Sequence, residues 1–333
     1  MKQSLKNIAK ELSVSRTTVS WVLSGKGDEK KISKATQQRI LEYAKEVNYQ
    51  PNLLAKSLIC GESKTIGLII PSIGDEFYAQ IARAIELKME SCGFTLTFCS
   101  SEADSAREAK MIRMLKSKMV DGLIIAPTKQ SKNEIETLQN ESFPFVLIDR
   151  FFPELNTSYV IVDNEDGCYQ LTKHLLALGR KKIAFVTTDT NLVVMGLRYD
   201  GYRKALFETG NPLITDLYIE VKRSDYEKEI IQSFDSLFQN IPDVDGFCFA
   251  THYLALEGLR YFYAHHIDIK EKISLACLHG SPSFSILAPN MSLAIQPVED
   301  IGEEAVNALI QNIKKKKNIN KQIVLPLKMD FRL

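Results

Sequence analysis

The 333-residue sequence lacks the features that would mark a membrane protein, a secreted protein or a metalloenzyme. Its apolar runs, such as 66–70 and 123–126, are strand-length, far short of the ~18 apolar residues of a spanning helix. Met1-Lys2-Gln3-Ser4-Leu5-Lys6 opens with charge but leads into neither an apolar stretch nor a small-residue cleavage site. No leader is therefore expected, and the protein is expected in the cytoplasm without a membrane partner. The six cysteines, at 60, 92, 99, 168, 248 and 277, form no C-x-x-C pair, and the five histidines have no ligand spacing. In a reducing compartment such cysteines act as small apolar side chains. Also missing are Gly-x-Gly-x-x-Gly after a strand, a P-loop, His-Glu-x-x-His and a nucleophile elbow. No catalytic residue, cofactor or metal is expected, and the protein is not expected to be an enzyme.

What is present is a charge asymmetry. Residues 1–60 carry eleven Lys/Arg against five Asp/Glu, a net +6, which leaves −5 for the rest of a +1 chain. A basic head on an acidic body points to a polyanion partner for the head alone. Three helices can be read there. Leu5, Ile8, Ala9 and Leu12 form an apolar stripe that Ser4 can cap. Ser15 can cap a second helix with Val19, Val22 and Leu23 inward, stopped by Gly25-Lys26-Gly27, and Ser33 a third with Ile40, Leu41, Ala44 and Val47 inward. The second helix presents Arg16, Thr17, Thr18, Ser20 and Trp21 outward, a face rich in hydroxyls and free of acid. A helix solvated for its own sake would carry Glu–Lys pairs instead. Short hydroxyls suit phosphate contacts, and Arg16 and Thr17 at the helix start can reach base edges in a major groove.

From Thr65 onward, strand-length apolar segments (65–70, 94–99, 122–125, 145–148, 159–162, 182–187, 217–221, 245–249, 273–276, 292–295, 322–325) alternate with amphipathic ones. That alternation predicts parallel sheets covered by helices on both faces. Two such halves leave a cleft at the carboxyl ends of their strands.

The sequence from Leu5 to Gly25 resembles the headpiece of the lac-repressor (LacI/GalR) family, and Asn48-Tyr49-Gln50-Pro51-Asn52-Leu53-Leu54-Ala55-Lys56-Ser57-Leu58 resembles its hinge. The likeness continues through Thr65–Pro71, Val120–Ile125, Leu147–Arg150, Val162–Asn164, Leu178–Phe185 and Gly201-Tyr202-Arg203, so it spans essentially the whole chain. It implies a helix-turn-helix headpiece (1–48), a hinge helix and linker (49–62), and an effector-binding, dimerising α/β core (63–333). The core would have two parallel-sheet lobes like a type I periplasmic binding protein. One would span about 63–162 and 297–325, the other about 163–295 and 326–333.

The resemblance implies base reading by Arg16, Thr17 and Trp21, phosphate contacts by Ser15, Thr18, Ser20 and Ser24, and further DNA contacts by Tyr49 and Leu58. Leu54 and Leu58, four apart, share a face of a segment too short to be a stable helix alone, and Leu58 matches the family's intercalating leucine. Relatives usually carry Arg or His where Trp21 stands, and commonly Asn where Ser24 stands.

For the cleft the resemblance implies Phe77 and Tyr78 as stacking aromatics, Arg198 for ligand oxygens, and Asp149, Thr251, His252 and His279 on the walls. Here the chain departs from the family. Ala-Asn-Asp is replaced by Ala250-Thr251-His252, and Gly-Phe-Asp-Asp by Cys277-Leu278-His279-Gly280. Carboxylates that commonly bind sugar hydroxyls are gone and imidazoles stand in their place, with Arg198 expected across the cleft. A sugar, sugar acid or sugar phosphate is the implied effector, and the missing carboxylates favour an anionic one.

The expected protein is a transcriptional regulator, a repressor in the first instance, binding a pseudo-palindromic double-stranded operator as a homodimer. The tail from Val324 holds a proline and no heptads, so no coiled-coil tetramer seam is expected. The competing readings are a solute-binding protein without a DNA role and a regulator whose core answers to a protein partner.

Overall fold

The computed structural model describes residues 4–49, 61–189, 192–269, 271–315 and 318–332. Leu54, Lys56 and Leu58 of the expected hinge lie outside them. The chain divides into two compact units, Met1–Ser63 and Lys64–Leu333.

The first unit contains α1 (Leu5–Glu11), α2 (Arg16–Leu23) and α3 (Lys34–Glu46). Each has a serine N-cap whose hydroxyl accepts a backbone N–H of the first turn: Ser4 from Asn7, Ser15 from Thr18 and Ser33 from Thr36. Such caps satisfy donors that the helix itself leaves unpaired. α2 ends in a Schellman turn. Gly25, with φ 74°, donates to Val22 O, and Lys26 N donates to Trp21 O. Ile8, Ala9, Val19, Val22, Ile40 and Ala44 form the core. Leu41, expected inward, is 48% exposed. The inward arc of α3 runs through Ile40 and Ala44, and Leu41 sits about a hundred degrees around from Ile40.

The second unit holds two six-stranded sheets. The first has the order β11-β5-β4-β3-β1-β2 and the second β12-β10-β9-β8-β6-β7. The strands are β1 (Thr65–Ile70), β2 (Thr95–Ser100), β3 (Gly122–Ile125), β4 (Phe145–Ile148), β5 (Tyr159–Val162), β6 (Ile183–Thr188), β7 (Tyr218–Val221), β8 (Gly246–Phe249), β9 (Ser274–Leu278), β10 (Ser292–Ile295), β11 (Gln322–Leu325) and β12 (Lys328–Asp330). All pairings are parallel except β10 with β12. The central strands β3, β4, β6 and β8 are buried along their whole length, as continuous apolar runs require, whereas edge strand β11 alternates.

The helices that matter for the cleft are α4 (Glu76–Ser91), which follows β1, α7 (Asn164–Ala177), α8 (Val193–Glu208) and α10 (His252–Ala264); α5 (Ser105–Ser117), α6 (Lys132–Asn140), α9 (Tyr226–Asn240), α11 (Phe284–Leu287) and α12 (Val298–Lys315) complete the layers. The chain passes between sheets after β5, after β10 and after β11. α7 and α8 pack unusually closely because of Gly201. A Cβ there would lie 2.8 Å from Tyr169 N and closer still to Glu165 O. That approach is what brings Arg198, one turn before Gly201, against Asn164 at the start of α7.

Candidate nucleic-acid interface and ligand cleft

On the first unit, Ser15, Arg16, Thr17, Ser20, Trp21 and Ser24 are exposed and Thr18 is half-buried. Ser13 takes a left-handed φ of 53° in the turn between α1 and α2, and Arg39 of α3 donates to Leu12 O beside it. The hydroxyls of this face are not equally free. Ser15 Oγ and Thr18 Oγ1 are 2.8 Å apart, so one proton of the pair is spent inside and the other can turn outward. Ser24 donates its proton to Ser20 O and Trp21 O of its own helix, which leaves it an acceptor and a poor partner for a phosphate. Trp21 keeps 37% of its surface exposed, and Lys30 Nζ lies 5.7 Å from its ring centroid. A cation is thereby held beside the exposed aromatic ring of α2. Tyr49 packs half-buried against the headpiece core. Burial raises its phenol above the usual range, and the nearby Arg16 guanidinium opposes that.

In the second unit, all seven expected cleft residues meet. Phe77, Tyr78, Asp149, Arg198, Thr251, His252 and His279 line one cavity, together with six residues the sequence did not single out: Asp75, Arg150, Met195, Arg223, Tyr253 and Gln296. Asp75, Asp149, Arg223, Thr251, His279 and Gln296 all lie just beyond the carboxyl ends of their strands, where open α/β sheets place ligands. The cavity is small, about 40 Å³, room for little more than one water. A larger hollow of about 440 Å³ lies elsewhere on the second sheet's lobe, but its arginines, Arg180 and Arg332, already donate to their own chain.

The wall from the first sheet's lobe is internally paired. Tyr78 donates to Asp149 Oδ2 at 2.6 Å, and Arg150 Nε lies 3.5 Å from the same oxygen. Asp75 caps α4 by accepting from Phe77 N, and its carboxylate also reaches the other lobe, with Arg223 and His252 Nε2 each at 3.5 Å. Ser281 of the second lobe donates to Glu76 at 2.8 Å. The Arg223 guanidinium carbon lies over the Tyr253 ring, 4.1 Å from its centroid.

The other wall is different. Arg198 is on α8 and so belongs to the same lobe as His252 and His279; the expectation that it faces them from across the cleft is corrected. It is 97% buried and donates to Asn164 Oδ1 and Ala250 O, both at 2.7 Å, and among the described residues no carboxylate pairs with it. His279 is 97% buried, has a φ of 108° and leaves Nε2 without a partner; Thr251 Oγ1 is likewise buried and unpaired. A side chain held at positive φ and an unpaired buried donor or acceptor each cost about 1–3 kcal/mol. Costs of this kind concentrate where a ligand completes the structure. The centroids of the two imidazoles lie 4.5 Å apart, and the Phe77 ring stands perpendicular to that of His279 at 4.9 Å. Burial, then His252 and Arg198, hold the His279 imidazole well below the usual histidine range, and burial lowers His252 against the pull of Asp75. Both are neutral at pH 7.

A basic helix-turn-helix unit followed by a two-lobed parallel α/β core with a cleft defines a DNA-binding regulator governed by a small molecule. Residues 4–52 match the family described as bacterial regulatory proteins, lacI family, and residues 63–331 match periplasmic binding proteins and sugar binding domain of LacI family. The chain belongs to the LacI family of transcriptional regulators. It is 30% identical over 318 residues to the HTH-type transcriptional regulator RegA of Clostridium saccharobutylicum, covering 95% of this chain and 94% of that one. It is 29% identical over 335 residues to the HTH-type transcriptional regulator DegA of Bacillus subtilis (strain 168), covering 100% and 98%. The lac repressor dimer bound to operator and the anti-inducer ONPF has the same fold, with a TM-score of 0.87, 22% identity and coverage of 100% and 98%.

Proposed function

We propose that this regulator is a cytoplasmic repressor that binds a pseudo-palindromic operator as a homodimer and is controlled by a small, carbohydrate-derived anion in its cleft. The headpiece (1–48) reads the site, with Arg16, Thr17 and Trp21 on base edges and Ser15, Thr18 and Ser20 on phosphates. The hinge (49–62) adds Leu58, and the core (63–333) binds the effector and pairs the subunits.

The observation that carries the effector class is Arg198. It is a buried, permanently charged guanidinium whose hydrogen bonds go to neutral acceptors, flanked by two neutral imidazoles where relatives keep acids. An entering carboxylate or phosphate supplies the missing charge through strong hydrogen bonds.

Thermal-shift screening tests this, because a ligand specific for the folded state at a hundred times its Kd adds about 2.7 kcal/mol of stability. Sugar acids and sugar phosphates are expected to raise Tm and neutral monosaccharides to leave it unchanged. Stabilisation by neutral sugars alone, undiminished in His279→Ala, overturns the anion assignment. For the headpiece, Trp21→Ala is expected to relax base preference at one operator position by about 1–3 kcal/mol. Selection of bound sites from a random pool that returns the parental consensus removes Trp21 from the base-reading set.

A further inference from the structure

We propose that the cleft takes up a proton together with its anion: the His252–His279 pair gains one proton from solvent when an anionic group enters beside Arg198, and returns it on release. The proposal rests on the anion reading above and adds that the regulator senses ligand and acidity jointly.

The geometry is specific to this pair. The rings are 4.5 Å apart, close enough for one charge to be felt by both. His279 Nε2 is buried without a partner, so the added proton has a nitrogen to occupy and a hydrogen bond to offer the anion. In the empty cleft the surroundings oppose protonation. Burial disfavours any charge there, and Arg198 from α8 and Arg223 from the loop after β7 are cationic. Asp75 and Glu76 at the start of α4 favour it at His252, but Asp75 is shared with Arg223 and Glu76 accepts from Ser281. No carboxylate pairs with His279 among the described residues. An anion brought to Nε2 reverses that balance, and the imidazole that was held neutral then binds a proton. By linkage, each proton taken up makes the anion bind about tenfold more tightly per unit fall in pH, between the pKa of the free pair and that of the complex.

The test is calorimetric titration of the full chain with D-glucuronate, sulfate and D-glucose at pH 6 and pH 8. Neither anion changes its own charge over that range, so any pH dependence belongs to the protein. Glucuronate or sulfate is expected to bind at least tenfold more tightly at pH 6. Heats in buffers of different ionisation enthalpy are expected to report about one proton taken up by the unmodified protein at pH 7. His279→Gln and His252→Gln should still bind the anion through Arg198 but with a flattened pH profile. Equal affinity at both pH values with no proton uptake overturns the coupling and leaves the anion reading standing, as does an unchanged profile in both variants. Binding of glucose alone, or of none of the three, overturns both.

Discussion

The two walls of the cleft are built on opposite principles. On the first lobe Asp149 is held by Tyr78 and Arg150, and Asp75 and Glu76 have partners on the far side. On the second lobe, among the described residues, Arg198 lacks a counter-charge, and His279 Nε2 and Thr251 Oγ1 lack any partner. A saturated wall holds its shape whatever enters, whereas an unsaturated one changes energy with what enters. On the proposed reading of the cleft, discrimination between ligands belongs to the second lobe. The first lobe supplies the aromatic surface and the carboxylates that reach across.

The largest test of that contrast removes the scaffold of the unsaturated wall. Gly201→Val drives carbon into the backbone of α7, and we expect a loss of about 3 kcal/mol in denaturant unfolding of the core, with loss of ligand response. An unchanged midpoint would mean that the α7–α8 contact does not position Arg198. A smaller effect is expected on the saturated wall. Tyr78→Phe deletes the hydroxyl that serves a buried carboxylate and should cost about 2 kcal/mol.

The smallest effect has the opposite sign. His279→Leu removes a buried unpaired nitrogen at the same positive φ, so it should stabilise the free protein by about 1 kcal/mol and leave anion binding to Arg198 alone, weaker and with a flattened pH profile. The same pair of proteins gives a pH signature. His279 binds a proton less readily folded than unfolded, so its contribution is present above about pH 6.5 and is lost as pH falls below it. Between pH 7 and 5.5 the parent should lose Tm faster than the leucine variant. Parallel curves would show that His279 is not held neutral by the fold.

Much of this architecture is legible in the sequence because it is local. Ser4, Ser15 and Ser33 cap the helices they precede, and the apolar runs that form β1, β3, β4, β5, β10 and β11 carry their own periodicity. β12 escaped because Lys328-Met329-Asp330 is three residues long and polar at both ends, and α11 because a single turn has no period. The cleft is partly legible for another reason. Phe77, Tyr78, Asp149, Arg198, Thr251, His252 and His279 were reached through family resemblance and do share one cavity. Asp75 reads locally only as the cap of α4 and Arg223 stands in a loop with no local pattern, so only the meeting of the lobes makes them partners. The one available signal was position: each follows a strand end, where such folds place their ligand groups. The misplacement of Arg198 across the cleft has the same origin, since α8 returns to its own sheet before any sequence pattern reveals it.

The three passages of chain between the lobes also bear on synthesis. β11 completes the sheet that begins with β1, and β12 completes the other, yet both follow every other described element. As the chain emerges from a ribosome, neither sheet can acquire its last edge strand until every other described strand and helix has been made. A frameshift or early stop after α12 would therefore leave two incomplete domains with open strand edges, a ready substrate for aggregation or proteolysis.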